Sequence, residues 1–166
     1  MTSTTNSLNK NADLIDAEPT KVGLGIQKTN YASYDYAKKK QDKLILGFLS
    51  KTIYIGFEHD QNPLIFAFRE EPAYQTVLGV NLNYLPLDAR KNISRYIVDS
   101  NSARLKNNNA PIIKYEDLIR VDKRAKGAIR RYKLMGLRVL DTIPLSEWEN
   151  AIAVRSGYEN HYKQNI

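Results

Sequence analysis

The chain contains no cysteine and only two histidines, His59 and His161. The first absence excludes a disulfide scaffold, thiol catalysis, thiolate zinc and cysteine-held iron–sulfur clusters. The second narrows acid–base catalysis, because histidine is the usual proton acceptor near neutral pH. No apolar run approaches the roughly 18 residues that cross a bilayer, so no membrane partner is expected. Residues 1–10 are polar, which predicts no cleaved secretion signal and synthesis in the cytoplasm. Gly23-Leu-Gly25 has no strand before it and no third glycine, so it is not a dinucleotide fingerprint. Neither a Walker-type lysine loop nor a nucleophile-elbow serine occurs.

What is present is ordinary globular chemistry. The 166 residues are 42% hydrophobic and 26% charged. That is enough chain for one domain with a real core. The net charge is +7 and the pI about 9.5, which favours acidic proteins or nucleic acid as partners.

The chain divides into three parts. Residues 1–43 read as an extended arm, polar and too poor in apolar residues to fold alone. Within it Tyr31, Tyr34 and Tyr36 offer rigid amphipathic contact area, suited to docking on neighbouring subunits. Residues 44–155 read as a single core domain, and 156–166 as a C-terminal tail. The core opens on the apolar run Leu44–Leu49, whose state periodicity does not decide. Thr52–Phe57, Leu64–Phe68 and Tyr74–Leu82 are rich in β-branched and aromatic residues and predict three strands of an antiparallel meander. Gly79 marks a bulge or a close approach. Pro86 opens a helix over 87–98, with Ala89, Ile93, Tyr96 and Ile97 as its apolar stripe. Residues 99–110 read as a loop and 112–119 as ambiguous. Residues 122–135 predict a basic helix, with Ala125, Ile129 and Tyr132 facing inward and Gly136 as its C-cap. Leu137–Leu140 predicts a strand returning to the meander. Residues 141–148 turn into a last short helix in which Trp148 anchors the core. The expected fold is α+β: a small, strongly bent antiparallel sheet, an SH3-like barrel being one form of it, flanked by two or three helices.

Lys114, Arg120, Lys123, Arg124, Lys126, Arg130, Arg131, Lys133 and Arg138 face only Glu116, Asp117 and Asp122 in the same stretch, a local net charge of +6. On one helix these cations would track a phosphate backbone or dock on an acidic protein. As a solvated face their stems would only cover apolar surface. The candidate contact residues are Lys123, Arg124, Lys126, Arg130, Arg131, Lys133 and Arg138. The consecutive Glu58, His59 and Asp60 converge only if they lie in a turn, and His161 lies in the expected tail, so no metal or acid–base site is expected. Glu70 and Glu71 beside Pro72 read as exposed turn residues.

One longer pattern is recognisable. Asn62-Pro-Leu-Ile-Phe-Ala-Phe68, Leu78-Gly-Val-Asn-Leu-Asn-Tyr-Leu-Pro86, the basic segment and Ile143-Pro-Leu-Ser-Glu-Trp148 follow in that order. The order resembles a family of small structural proteins of tailed, especially contractile-tailed, bacteriophages, variously labelled DNA end protectors or virion and baseplate proteins. The resemblance spans 52–154 and carries over Gly79, Asn81, Leu82, Tyr84, Leu85, Pro86, Glu147 and Trp148. Asn83 stands where the family often has histidine, and the turn 58–62 is shorter than the family's. No catalytic residue transfers, so the resemblance implies no enzyme and no cofactor. It implies a virion component of the tail, baseplate or neck, within a hetero-oligomeric assembly of phage proteins. The alternative it allows is a DNA-binding virion protein that covers genome ends.

Overall fold

The computed structural model describes residues 26–27, 44–55 and 60–165. Tyr31, Tyr34 and Tyr36, together with Glu58 and His59, lie outside the described residues. A two-residue strand β1 (Ile26–Gln27) pairs in parallel with β2 (Leu44–Ile45). The main sheet comprises β3 (Leu49–Tyr54), β4 (Leu64–Glu71), β5 (Thr76–Asn81), β6 (Ile129–Lys133) and β7 (Leu137–Ile143). Its spatial order is β6-β5-β4-β3-β7 and every pairing is antiparallel. The meander is β3-β4-β5, and β7 returns to pair with β3, as the sequence predicts.

Leu64–Phe68 shows no apolar–polar alternation because both faces of β4 are covered. Leu64 and Phe66 enter one core with Val80, Leu82, Ile93 and Trp148, between sheet and helices. Ile65 and Ala67 enter a second with Tyr54, Val77, Tyr132 and Val139. The register of β4 against β5 shifts between Ala67 and Arg69, and that of β3 against β7 between Lys51 and Thr52. Such bulges bend a strand. The bend can be measured from one bond. Three strand spacings separate β3 from β6, about 14 Å in a flat sheet. Yet the Lys133 amide donates to the Tyr54 hydroxyl at 3.0 Å, and the Tyr54 and Tyr132 rings meet edge-on at 5.0 Å. The sheet is therefore strongly curled. Among the described residues no ladder joins β6 to β7.

Residues 82–128 form a helical excursion between β5 and β6. Pro86 precedes α1 (Leu87–Ser100), which buries Ala89, Arg90, Ile93 and Ile97. The expected loop over 99–110 is instead the end of α1 followed by α2 (Ser102–Lys106). Buried Asn101 makes that junction specific: its amide donates to the carbonyls of Ile97 (2.8 Å) and Ile112 (3.0 Å) and accepts from the Ile112 amide (2.8 Å). The ambiguous stretch resolves as α3 (Tyr115–Val121).

The basic helix expected over 122–135 is not formed. Helix α4 covers only Ala125–Ala128, and the chain then becomes β6. Pairing of Val77 with Tyr132 and of Val80 with Ile129 outweighs the helical spacing of Ala125, Ile129 and Tyr132. Gly136 ends a 3₁₀ turn, Leu134–Gly136, rather than capping a helix. The last helix is α5 (Trp148–Ile152). Trp148 is the expected core anchor: it is buried, donates to the Ile143 carbonyl at 3.0 Å and meets the Phe66 ring edge-on at 4.8 Å. Five α-helices, where two or three were expected, thus accompany the sheet among the described residues.

The segment expected as a C-terminal tail packs on the core through Tyr158 and Tyr162. Its last described residues form a 3₁₀ helix, His161–Asn165. Aromatic residues in a polar stretch were the available signal: Tyr158, His161 and Tyr162 give it apolar area to bury.

Candidate interaction surface

The nominated cations do not lie on one helix. Arg124 donates to both oxygens of Asp122, with Nη2–Oδ2 at 2.8 Å, and reaches Asp88 at 2.9 Å. These bonds hold the Asp122 and Asp88 carboxyls below their usual range. Arg131 on β6 forks onto Glu71 at the end of β4, Nε–Oε1 2.6 Å and Nη2–Oε2 2.9 Å. Glu71 also accepts from Thr76 Oγ1 at 2.8 Å. Glu70 and Glu71 are therefore half-buried strand residues, not exposed turn residues. Arg130 turns inward. Its guanidinium donates to the carbonyls of Gly127 (2.7 Å) and Ile129 (3.0 Å) and lies 4.9 Å from the centre of the Tyr84 ring, a cation–π contact.

Arg124, Arg130 and Arg131 are thus engaged by partners within the chain, Arg131 at the surface. Lys123, Lys126, Lys133 and Arg138 are exposed and form no ion pair among the described residues. They stand beside α4, within α4, at the end of β6 and on β7 respectively. A single helical stripe of nine cations is replaced by separate positive positions.

The stretch 78–86 performs a structural task that its residue types explain. A Cβ on Gly79 would stand 2.8 Å from Ile65 Cγ2 and 3.2 Å from the Phe66 carbonyl oxygen, the close approach expected there. Asn81 caps the next 3₁₀ turn, accepting from the Asn83 amide at 3.0 Å. Its own amide donates to buried Asp60 at 2.8 Å. Asn83 donates to the same Asp60 oxygen at 3.0 Å and to the Asn62 carbonyl at 2.9 Å. Asn83 therefore ties the turn 60–62 to the end of β5. Burial pushes the Tyr84 phenol up, and the His161 ring lies 4.5 Å from it.

Sequence patterning missed Arg90, which falls beside the apolar stripe of α1. It is 2% exposed. It donates to the carbonyls of Leu85 (2.8 Å), Ile152 (2.9 Å) and Val154 (2.6 Å), reaches Ser156 Oγ at 3.3 Å and pairs with Glu159 at 3.6 Å. A lone arginine among helix-spaced apolar residues was the only clue.

Among the described residues no cluster of three or more His, Asp or Glu side chains is placed to hold a metal, and no helix is long and apolar enough to cross a membrane. No family model, curated protein or solved structure matches this chain.

Proposed function

We propose that the chain is a non-enzymatic structural component of a tailed-phage virion, in the tail, baseplate or neck, where it links neighbouring subunits. One observation carries this reading. The residues behind the phage-family resemblance are those that build the joint between sheet, helices and C-terminal segment. Gly79 permits close strand packing, Asn81 binds Asp60, Tyr84 packs against Arg130 and His161, and Trp148 anchors the core. A pattern that specifies a fold rather than a reactive cleft suits a scaffold component. Tyr31, Tyr34 and Tyr36, three amphipathic side chains within a polar stretch of sequence, suit contact with a neighbouring subunit.

The DNA-end reading rests on the net charge of +7. The spread of the cations over several elements and the pairing of three of them within the chain favour a protein partner over a phosphate backbone.

The test is location. Antibody against the chain is used to probe purified tails, necks and heads of the phage that encodes it. Signal in tails or necks supports the proposal; absence from every particle overturns it. Fluorescence anisotropy on linear duplex and closed circles, from about 50 to 200 mM salt, checks the alternative. A slope of several charges with preference for free ends would establish DNA binding.

A further inference from the structure

We propose that the end of the sheet formed by Ile55 and by the turns Pro72–Tyr74 and Leu134–Gly136 is a docking surface for another protein, one presenting an apolar centre edged with carboxylates. This deepens the assembly reading, rests on it, and names the face it uses.

Ile55, Met135 and Tyr74 are 85%, 79% and 75% exposed, the three most exposed large apolar side chains among the described residues. They come from three separate stretches, and two backbone bonds draw these to one end. The Leu134 amide donates to the Gln75 carbonyl at 3.0 Å, and the Ile55 amide donates to the Gly136 carbonyl at 3.2 Å. Met135 lies between these two ties. The turn is held again from beneath, where Gly136 packs against the Tyr54 ring and the Lys133 amide donates to the Tyr54 hydroxyl. The apolar side chains are therefore displayed on a braced frame, which lowers the ordering cost of binding. Exposed singly, such residues are unremarkable, but gathered at one end they mark an interaction surface. Tyrosine and methionine are also the types enriched in interface centres.

The flanking charge selects the partner. Lys133 immediately precedes the Leu134–Gly136 turn and Arg138 soon follows it, both exposed and without an ion pair among the described residues. The neighbouring Arg131 is already neutralised by Glu71. A two-fold contact between copies would bring Lys133 and Arg138 against like charges, which disfavours self-association. A phosphate backbone would satisfy the cations but leave three large apolar side chains without a counterpart.

The experiment uses the full chain and purified tails, necks and heads assembled without it. Wild type, Ile55→Ser/Met135→Ser and Lys133→Glu/Arg138→Glu are sedimented with each particle. Trp148 fluorescence and melting midpoint check that each variant is folded. Wild type is expected to bind one particle class, with both variants weakened tenfold or more. A photo-crosslinking methionine analogue at position 135, which leaves the fold intact, is expected to attach to a different, acidic protein. Wild type binding while the apolar variant binds equally well overturns the surface but not the assembly reading. Crosslinks only to a second copy, or only to DNA, overturn it as well. Wild type binding to no particle overturns both.

Discussion

The Arg90 guanidinium donates to the Ile152 carbonyl at 2.9 Å, joining the first helix to the end of the last across 62 residues of chain. The same side chain holds Leu85 before α1 and Val154 after α5. A planar fork with five donors on three nitrogens can reach carbonyls that stand apart, whereas a lysine offers three donors from a single nitrogen. Burial pulls the Arg90 pKa down and Glu159 opposes that, but arginine stays charged. Arg90→Met would leave the Leu85 and Ile152 carbonyls without their donor in a buried setting. The expected loss is about 3 kcal/mol, at the lower end of what breaking a buried charged network costs. Urea unfolding followed by Trp148 fluorescence measures it, and Arg90→Lys should recover only part. A loss under about 1 kcal/mol would mean the carbonyls find other partners.

Glu71 titrates against Arg131. The Arg131 hydrogen bond is the main cause that lowers its pKa from 4.5 to about 2, and the Thr76 hydroxyl adds to it. A carboxyl with a depressed folded pKa contributes stability that is present above its unfolded value and lost as pH falls through the folded one. That contribution should therefore be complete above about pH 5 and fade between 4.5 and 2. Melting temperature against pH compares wild type with Glu71→Gln. The variant should be less stable at neutral pH, with the gap narrowing across that acid window. A constant gap would show that shape, not charge, holds the pair.

The fold was legible where one physical signal dominated. The three meander strands, the helix opened by Pro86 and the returning strand all announced themselves through apolar density, β-branching and turn residues. The core role of Trp148 and the tightness at Gly79 were also readable. The basic segment was not. Ala125, Ile129 and Tyr132 have helical spacing, but Tyr132 has a cross-strand partner in Val77, more than fifty positions away, which local periodicity cannot contain. The charge run misled for a related reason. The acids that neutralise Arg131 and help neutralise Arg124, Glu71 and Asp88, lie in β4 and α1, so a local count of charge could not register them.

Asp60 is buried and accepts from the Asn81 and Asn83 amides and from the Asn62 backbone. Asp60→Ala leaves two carboxamides short of an acceptor beneath the end of β5. An expected cost of about 2 kcal/mol follows from the unsatisfied groups alone. The variant should also raise hydrogen exchange at the amides of Leu64 and Asn83, which both donate to Asn81 Oδ1. Stability loss without that local change would place the role of Asp60 elsewhere.

Gly127 controls the C-terminal segment. A Cβ there would overlap the backbone carbonyl of Tyr162, and backbone cannot rotate away as a side-chain tip can. Gly127 lies in α4, where alanine otherwise favours helix by about 1 kcal/mol. Gly127→Ala therefore sets a local gain against a tertiary clash. The clash should win by displacing the segment that includes His161–Asn165 rather than by unfolding the sheet. Limited proteolysis should then cut near Arg155 and Lys163 much faster in the variant, while exchange protection in β4 and β5 stays at the wild-type level. Equal proteolysis rates would mean that α4 shifts to make room. Loss of protection throughout would mean that the C-terminal segment is part of the folding unit, held through Arg90 and Glu159, rather than a latch on its surface.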